Sequence, residues 1–271
     1  MTLWVLGGDA RSRFTAEFFR KNGFAVETHG VPQLTDSPLP QKLQYAILPF
    51  PSFAGALLRG QSALPAEEIL ARSDSQTTVF GGQFSSWREP FLSRGAKVCD
   101  LYGSEPLTTS NAIPTAEGAI CLAIEHSPIT LHGSNCLVVG YGRCGKILAH
   151  KLHALGANVT VGARRDADFA FAEAMGLQTD KSGIWQHGLH AYDFIFNTVP
   201  TSVFSPEQLS TLSADCVIIE LASKPGGIPE TEQRNLHYHF APGLPGKFSA
   251  KTAGILYAQS ILSIIESECI H

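Results

Sequence analysis

Between Cys136 and Leu152 the chain reads CLVVGYGRCGKILAHKL: an apolar run of strand type, then Gly140, Gly142 and Gly145 in a Gly-x-Gly-x-x-Gly turn, then residues of helical period. The first glycine lets the chain turn sharply out of a buried strand. The second lets a ligand's phosphates approach backbone N–H groups, and the third lets the helix pack against the strand. The N-terminus of such a helix attracts negative charge. A second strand-type run, NVTV at Asn158, follows in register, so the pattern predicts a βαβ unit of a parallel sheet that binds a dinucleotide. A turn that ends a strand for steric reasons alone is the alternative. Arg143 and Cys144 lie inside the turn and join the three glycines as expected cofactor contacts. Cys144 has a helix N-terminus to lower its thiol pKa, or is a small packed residue.

Strand-type runs also occur at LWVL (Leu3), FAVE (Phe24), YAIL (Tyr45), TTVF (Thr77) and AKVC (Ala96), and again at DFIF (Asp193), CVII (Cys216) and LHYHF (Leu236). Segments of helical period separate them, which is the rhythm of parallel sheets with crossover helices. One doubly wound unit does not use so many strands. The chain is therefore expected to form two Rossmann-like, doubly wound α/β domains with a cleft between them. Residues 1–110, joined by a C-terminal helix over 251–271, make one, and residues 111–250 make the other. NAIPTAEGAICLAIEHSPITLHGS marks the crossing, with Pro114 at a helix start and a helical run from Thr115 to about His126. Ile255, Ile261, Leu262 and Ile265 have the spacing of a helix that packs back onto the first domain.

Composition narrows the class of function. The 271 residues are 44% hydrophobic and 16% charged, as in a globular protein, and the net charge of -4 excludes a general nucleic-acid binder. The 6 cysteines form no C-x-x-C pair, which points to reduced thiols and no structural zinc. The opening TLWVLGG lacks the pattern of a signal peptide, and no apolar run has the length of a membrane span, so a cytoplasmic protein is expected.

After NVTV, where an NAD enzyme carries an acid for the ribose hydroxyls, the chain reads Gly162, Ala163, Arg164, Arg165. Two guanidiniums there favour a 2′-phosphate and hence NADP; a solvated arginine pair opening the next helix is the alternative. FNTVP (Phe196–Pro200) leaves a strand at its carboxyl end, so Thr198 and Pro200 are expected to line the nicotinamide side, unless they only end the strand. In GGDARS, Arg11 either clamps a carboxylate or faces solvent at a helix start. GGQFSSW offers Ser85 and Ser86 as donors. ELASKPGG and APGLPGKFSAKTAG read as stiff loops presenting Lys224, Lys247 and Lys251 to an anion, rather than as helical or merely solubilising lysines. Glu117 is a base or a helix-orienting cap. His150 and His153 read as solvated. His237 and His239 share one face of a strand without enough further ligands for a metal.

Taken together, GGDAR, NAIPTAEGAI, GYGRCGK with GARR, FNTVP, LASKPGG and APGLPGKFSAKTAG resemble the family of bacterial dipicolinate synthase A subunits over nearly the whole chain. More distantly the chain is similar to D-2-hydroxyacid and alanine-dehydrogenase-like enzymes. Where the hydroxyacid dehydrogenases carry Arg-Gly it has Ser223-Lys224-Pro225-Gly226, and where they place Pro-His it has Pro242-Gly243. The resemblance implies oxidation of dihydrodipicolinate, or its hydrated precursor, to dipicolinate with hydride transfer to NADP+, in the mother-cell cytoplasm during sporulation. It also implies a homo-oligomer and, as partner, the flavoprotein-like B subunit. Arg11, Lys224 and Lys247 are then candidate substrate holders, and Thr115, Glu117 and Lys224 candidate catalytic residues. A hydroxy- or amino-acid dehydrogenase and a nucleotide sensor without turnover are the rival readings.

Overall fold

Strand β1 (Thr2–Leu6) sends alternate side chains into different cores, Leu3 and Val5 into one, Trp4 and Leu6 into the other. A run with no polar face is what a parallel strand covered on both sides requires. In the computed structural model, which describes every residue except Gln61, Ser62, Ile270 and His271, this pattern recurs in the inner strands of both parallel sheets. The chain divides into two compact units, residues 1–111 with the chain from Ser249 onward, and Ala112–Phe248.

The first unit continues with α1 (Ala10–Lys21), β2 (Ala25–His29), β3 (Tyr45–Ile47), the short strands β4 (Phe53–Ala54) and β5 (Leu57–Leu58), α2 (Ala66–Ala71), β6 (Thr78–Gly81), α3 (Arg88–Ser93) and β7 (Lys97–Asp100). Its 5-stranded sheet has the order β2-β1-β3-β6-β7, all parallel. The order reverses between β1 and β3, the switch point where open sheets leave a crevice.

Helix α4 (Glu105–Glu125) corrects the expected start at Pro114, which lies inside it. The start signal is Ser104-Glu105-Pro106. The Ser104 hydroxyl accepts from the Leu107 N–H at 3.4 Å, and a proline in a first turn needs no donor there. Buried Leu107, Ala112, Ala116 and Ala119 carry the helix past Pro114.

The second unit comprises β8 (Asn135–Val139), α5 (Arg143–Ala154), β9 (Asn158–Ala163), α6 (Asp166–Ala174), β10 (Gln178–Lys181), β11 (Phe194–Asn197), α7 (Pro206–Leu209), β12 (Val217–Glu220), α8 (Glu230–Gln233), β13 (His237–Phe240) and α9 (Leu244–Phe248). Its 6-stranded sheet runs β10-β9-β8-β11-β12-β13, again all parallel. That is the dinucleotide-binding order, with its switch point between β8 and β11. Both units are thus doubly wound and Rossmann-like. Strand β10 is an addition to the runs expected from the sequence, an edge strand whose residues Gln-Thr-Asp-Lys carry no apolar signal.

APGLPGKFSAKTAG is not a stiff loop. It forms α9, which contains Lys247, and the start of α10 (Ala250–Cys269), which contains Lys251. Pro245 sits in the first turn of α9, where its missing N–H costs nothing. Helix α10 packs on α1 and adds Tyr257, Ala258, Ile261 and Ile265 to the core around Ala16 and Phe19. The two helices come so close at Gly254 that a Cβ there would stand 2.4 Å from the Arg11 carbonyl oxygen. Thr15 Oγ1 donates to the Gly254 carbonyl at 3.1 Å in the same contact. Among the described residues no helix is long and apolar enough to cross a membrane.

Alanine is a better helix former than glycine by about 1 kcal/mol, yet the Gly254→Ala variant must push backbone against backbone. We expect a net loss of ~1–3 kcal/mol in urea denaturation. A midpoint equal to or above that of the wild type would show that the α1–α10 contact is not close-packed.

Candidate functional site

The glycine turn has the geometry its spacing predicts. Gly140 takes φ of +92°, a left-handed conformation that favours glycine, directly after β8. A Cβ on Gly145 would lie 1.9 Å from the Gly140 carbonyl oxygen, so only glycine lets α5 approach. Gly142 differs from both. Its φ of -78° suits any residue, and a Cβ there would meet nothing within 4 Å. Neither the fold nor the packing asks for glycine at this position, whereas a ligand lying on the turn would. Gly142, at the N-cap of α5, has no side chain to cap the helix, whose N-terminus opens at the same turn.

Gly140, Gly142, Arg164, Arg165, Thr198 and Pro200 line one pocket at this switch point. Across it, the Thr198 N–H and hydroxyl both donate to the Val139 carbonyl, at 2.9 and 2.8 Å. Gly145 lies beneath the turn, and Arg143 and Cys144 occupy the first turn of α5. Burial pushes the Cys144 thiol up, against the pull of Arg143, so it is not an activated thiolate. Tyr141 Oη is buried at the pocket without a hydrogen-bond partner among the described residues, and burial together with Asp168 raises its pKa.

The acid absent from the end of β9 enters the pocket from the next helix. Asp168, in the first turn of α6, is nearly buried and receives both Nε and Nη2 of Arg165, at 2.7 and 2.8 Å. Its spacing from Arg165 at the start of a helix was the available signal. Arg164 beside it is exposed.

A second feature that sequence reasoning missed lies at the ends of β11 and β12. The Glu220 carboxylate is completely buried and accepts from Asn197 Nδ2 at 2.7 Å, the Ala222 N–H at 3.0 Å and the Gly227 N–H at 2.9 Å. Asn197 also bonds the Val199 backbone through both its side-chain atoms. Desolvation raises the Glu220 pKa, outweighing these hydrogen bonds. The loop of Lys224 thus folds over a buried carboxyl group, while the Lys224 ammonium itself faces solvent and pairs with Glu230 at 3.2 Å. An acid closing the apolar run CVIIE was the available clue.

Other candidates are separately placed. Arg11 bonds Asp9 through Nε and Nη2, at 2.9–3.1 Å and 2.8 Å, and lines a pocket at the β1–β3 switch point with Pro49, Phe50, Asn111 and Tyr257. Burial pushes the Asp9 carboxyl up, but the Arg11 guanidinium holds it below the usual range on balance. The Tyr257 hydroxyl donates to the Leu48 carbonyl at 2.8 Å, and burial raises its pKa. Glu117 accepts from Lys151 Nζ at 2.9 Å, Thr115 is half-buried on α4, and Lys247 Nζ lies 4.8 Å from the Phe248 ring centre. His237 and His239 do gain a further neighbour of ligand type: the fold brings His126 to them.

No family profile matches the chain. It is 31% identical to the A subunit of dipicolinate synthase from Bacillus subtilis over 284 residues, 96% of this chain and 94% of that protein. The chain belongs to the family of dipicolinate synthase A subunits. The crystal structure of the corresponding A subunit from Bacillus halodurans matches with a TM-score of 0.86 at 28% identity, covering 97% of each chain. An L-alanine dehydrogenase, at 16% identity and a TM-score of 0.71 over 98% of this chain and 89% of its own, shares the fold.

The raised pKa of Glu220 has a stability consequence. Above its ordinary value of 4.5 the folded protein keeps a proton that the unfolded chain has lost, so this group's contribution falls as pH rises from there through the folded pKa. Urea denaturation of wild type and Glu220→Gln between pH 4.5 and 8 should show the wild-type advantage shrinking with pH. An advantage that grows with pH would mean that the loop N–H groups dominate over desolvation.

Proposed function

We propose that this family member is the dehydrogenase component of a dipicolinate synthase, oxidising dihydrodipicolinate, or its hydrated precursor, to pyridine-2,6-dicarboxylate with NADP+. The observation that carries the reading is Gly142 at the N-terminus of α5, a glycine that neither its φ nor, among the described residues, its surroundings require. The residues present fit a dinucleotide: N–H groups from Gly140 through Gly145 for the pyrophosphate, Arg164 and Arg165 for a 2′-phosphate, and Thr198 and Pro200 for the nicotinamide side. When bound, that group supplies the hydride acceptor. The family resemblance supports the substrate, and the name of the Bacillus subtilis relative, one lettered component of a synthase, supports a second component.

Oxidation of the ring removes a hydride and leaves one proton, and aromaticity provides much of the driving force. The chain's task is then to hold a dianion in place and to take the proton. Arg11, oriented by Asp9, and Lys224 and Lys247 are the proposed carboxylate holders. Thr115, with Glu117 fixed by Lys151, is the proposed relay, with Lys224 as a further catalytic candidate. The setting is the mother-cell cytoplasm during sporulation, where the chain self-associates and meets the flavoprotein-like B subunit. A nucleotide-sensing role without turnover is the second reading, because Arg11, Lys224 and Lys151 already have carboxylate partners within the chain.

Gly142→Ala reaches open space and should cost no more than about 1 kcal/mol of stability, the preference of an N-cap for glycine over alanine, while weakening NADPH binding, followed by fluorescence titration, at least tenfold. Arg164→Ala should weaken NADPH roughly tenfold more than NADH, as the loss of a charge-assisted hydrogen bond does. Equal losses would remove Arg164 from the 2′-phosphate, and unchanged binding in Gly142→Ala would remove the nucleotide from the turn.

With the B subunit present, purified protein given dihydrodipicolinate should form an ultraviolet-absorbing pyridine product only when NADP+ is added. No product, together with intact nucleotide binding, favours the sensor.

A further inference from the structure

His237 and His239 alternate on β13, an edge strand, so their side chains lie on one face of the sheet. His126 directly follows the last residue of α4 and donates its N–H to the Leu122 carbonyl at 3.0 Å, in the helix's final turn. The three ligand nitrogens lie within 4.8 Å of one another. The His126 and His239 rings stack with centres 3.7 Å apart and planes 15° from parallel, and His237 lies 4.8 Å from His239. His239 Nε2 is buried and has no hydrogen-bond partner among the described residues.

We propose that His126, His237 and His239 form a binding site for a divalent transition-metal ion of the zinc class. The glycine turn and the switch-point pocket play no part in it. Neutral imidazole is a ligand for zinc, nickel and copper, and three histidines leave a further position for water or another donor. A zinc ion about 2.0–2.1 Å from each nitrogen holds the nitrogens about 3.3 Å apart, so the present spread needs a side-chain adjustment and no backbone movement. His126 supplies it by swinging out of the stack, since two stacked rings point their lone pairs along parallel planes.

Two features favour a cation here. The buried Nε2 of His239 gains the partner it lacks, which removes the cost of an unsatisfied polar atom. The C-terminus of α4 carries the negative end of its dipole. Bound metal would tie the end of α4 to the exposed edge of the second sheet.

The test uses the full chain without a histidine tag, stripped with a chelator. Competition for Zn2+ against a chromophoric chelator should reveal one high-affinity site per chain. Co2+ should give the visible absorption bands of a four- or five-coordinate site, a readout that needs no variant. His237→Gln and His126→Gln should each weaken Zn2+ binding at least tenfold, while His153→Gln, on the exposed surface of α5, should bind as wild type does. Absence of a stoichiometric site in the wild type, or Zn2+ affinity unchanged in His237→Gln and His126→Gln, would overturn the proposal.

Discussion

Helix α5 can stand where it does only because Gly145 has no side chain. With 1.9 Å between a notional Cβ and the Gly140 carbonyl oxygen, any other residue would lift the helix off the strand. The rest of the second unit follows from that contact. It brings the helix N-terminus, with a glycine rather than a capping side chain at its N-cap, to the carboxyl end of β8, beside the place where the strand order reverses. The positive end of a helix dipole attracts negative charge, so this arrangement makes physical sense as one half of an anion site.

The same edge of the sheet is fixed by side chains as well as by strand pairing. Thr198 joins the end of β11 to the end of β8 through the Val139 carbonyl. Asn197 joins β11 to β12 through the Glu220 carboxylate, and Glu220 in turn holds the loop of Lys224. These bonds lie in a continuous line across neighbouring strand ends. A buried carboxyl group is an expensive way to fix a loop, since desolvation opposes its charge, but three donors aimed at it permit essentially one loop conformation. The edge that would receive a ligand is therefore ordered before any ligand arrives, which lowers the entropy lost on binding.

How much of this could be read from the sequence depended on whether a residue acts locally. Strands buried on both faces announce themselves as apolar runs, and the turn of Gly140, Gly142 and Gly145 announces itself by spacing, so the α/β architecture was legible. Polar β10 was not, because an edge strand needs no apolar face. Pro114 misled, since a proline is read as a helix start while tertiary packing of small residues carried the helix through it. The lysines of LPGKFSAK carry a loop signal because Pro and Gly dominate the composition around them, although Pro245 at a first turn favours a helix. Asp168, Glu220 and His126 act through partners that only folding brings near, and their roles were invisible for that reason.

The second strand's end shows why an absent acid is not the same as an acid-free pocket. Arg165 meets Asp168 along one edge of its guanidinium, through Nε and Nη2. Two of its five N–H groups are engaged in this way, and the opposite edge of the fork points elsewhere. Asp168 is nearly buried at the start of α6 and holds the guanidinium at two points, so the pair is a built part of the pocket. A carboxylate so placed would have two opposing effects on a 2′-phosphate brought to it: it would repel the charge, and it would hold Arg165 in a fixed orientation toward it. The two effects differ in their dependence on Arg164, whose exposed side chain has no such tether. If repulsion dominates, Arg164 alone must offset it and the preference for a phosphorylated nucleotide is slight; if orientation dominates, the two arginines act together and the preference is steep.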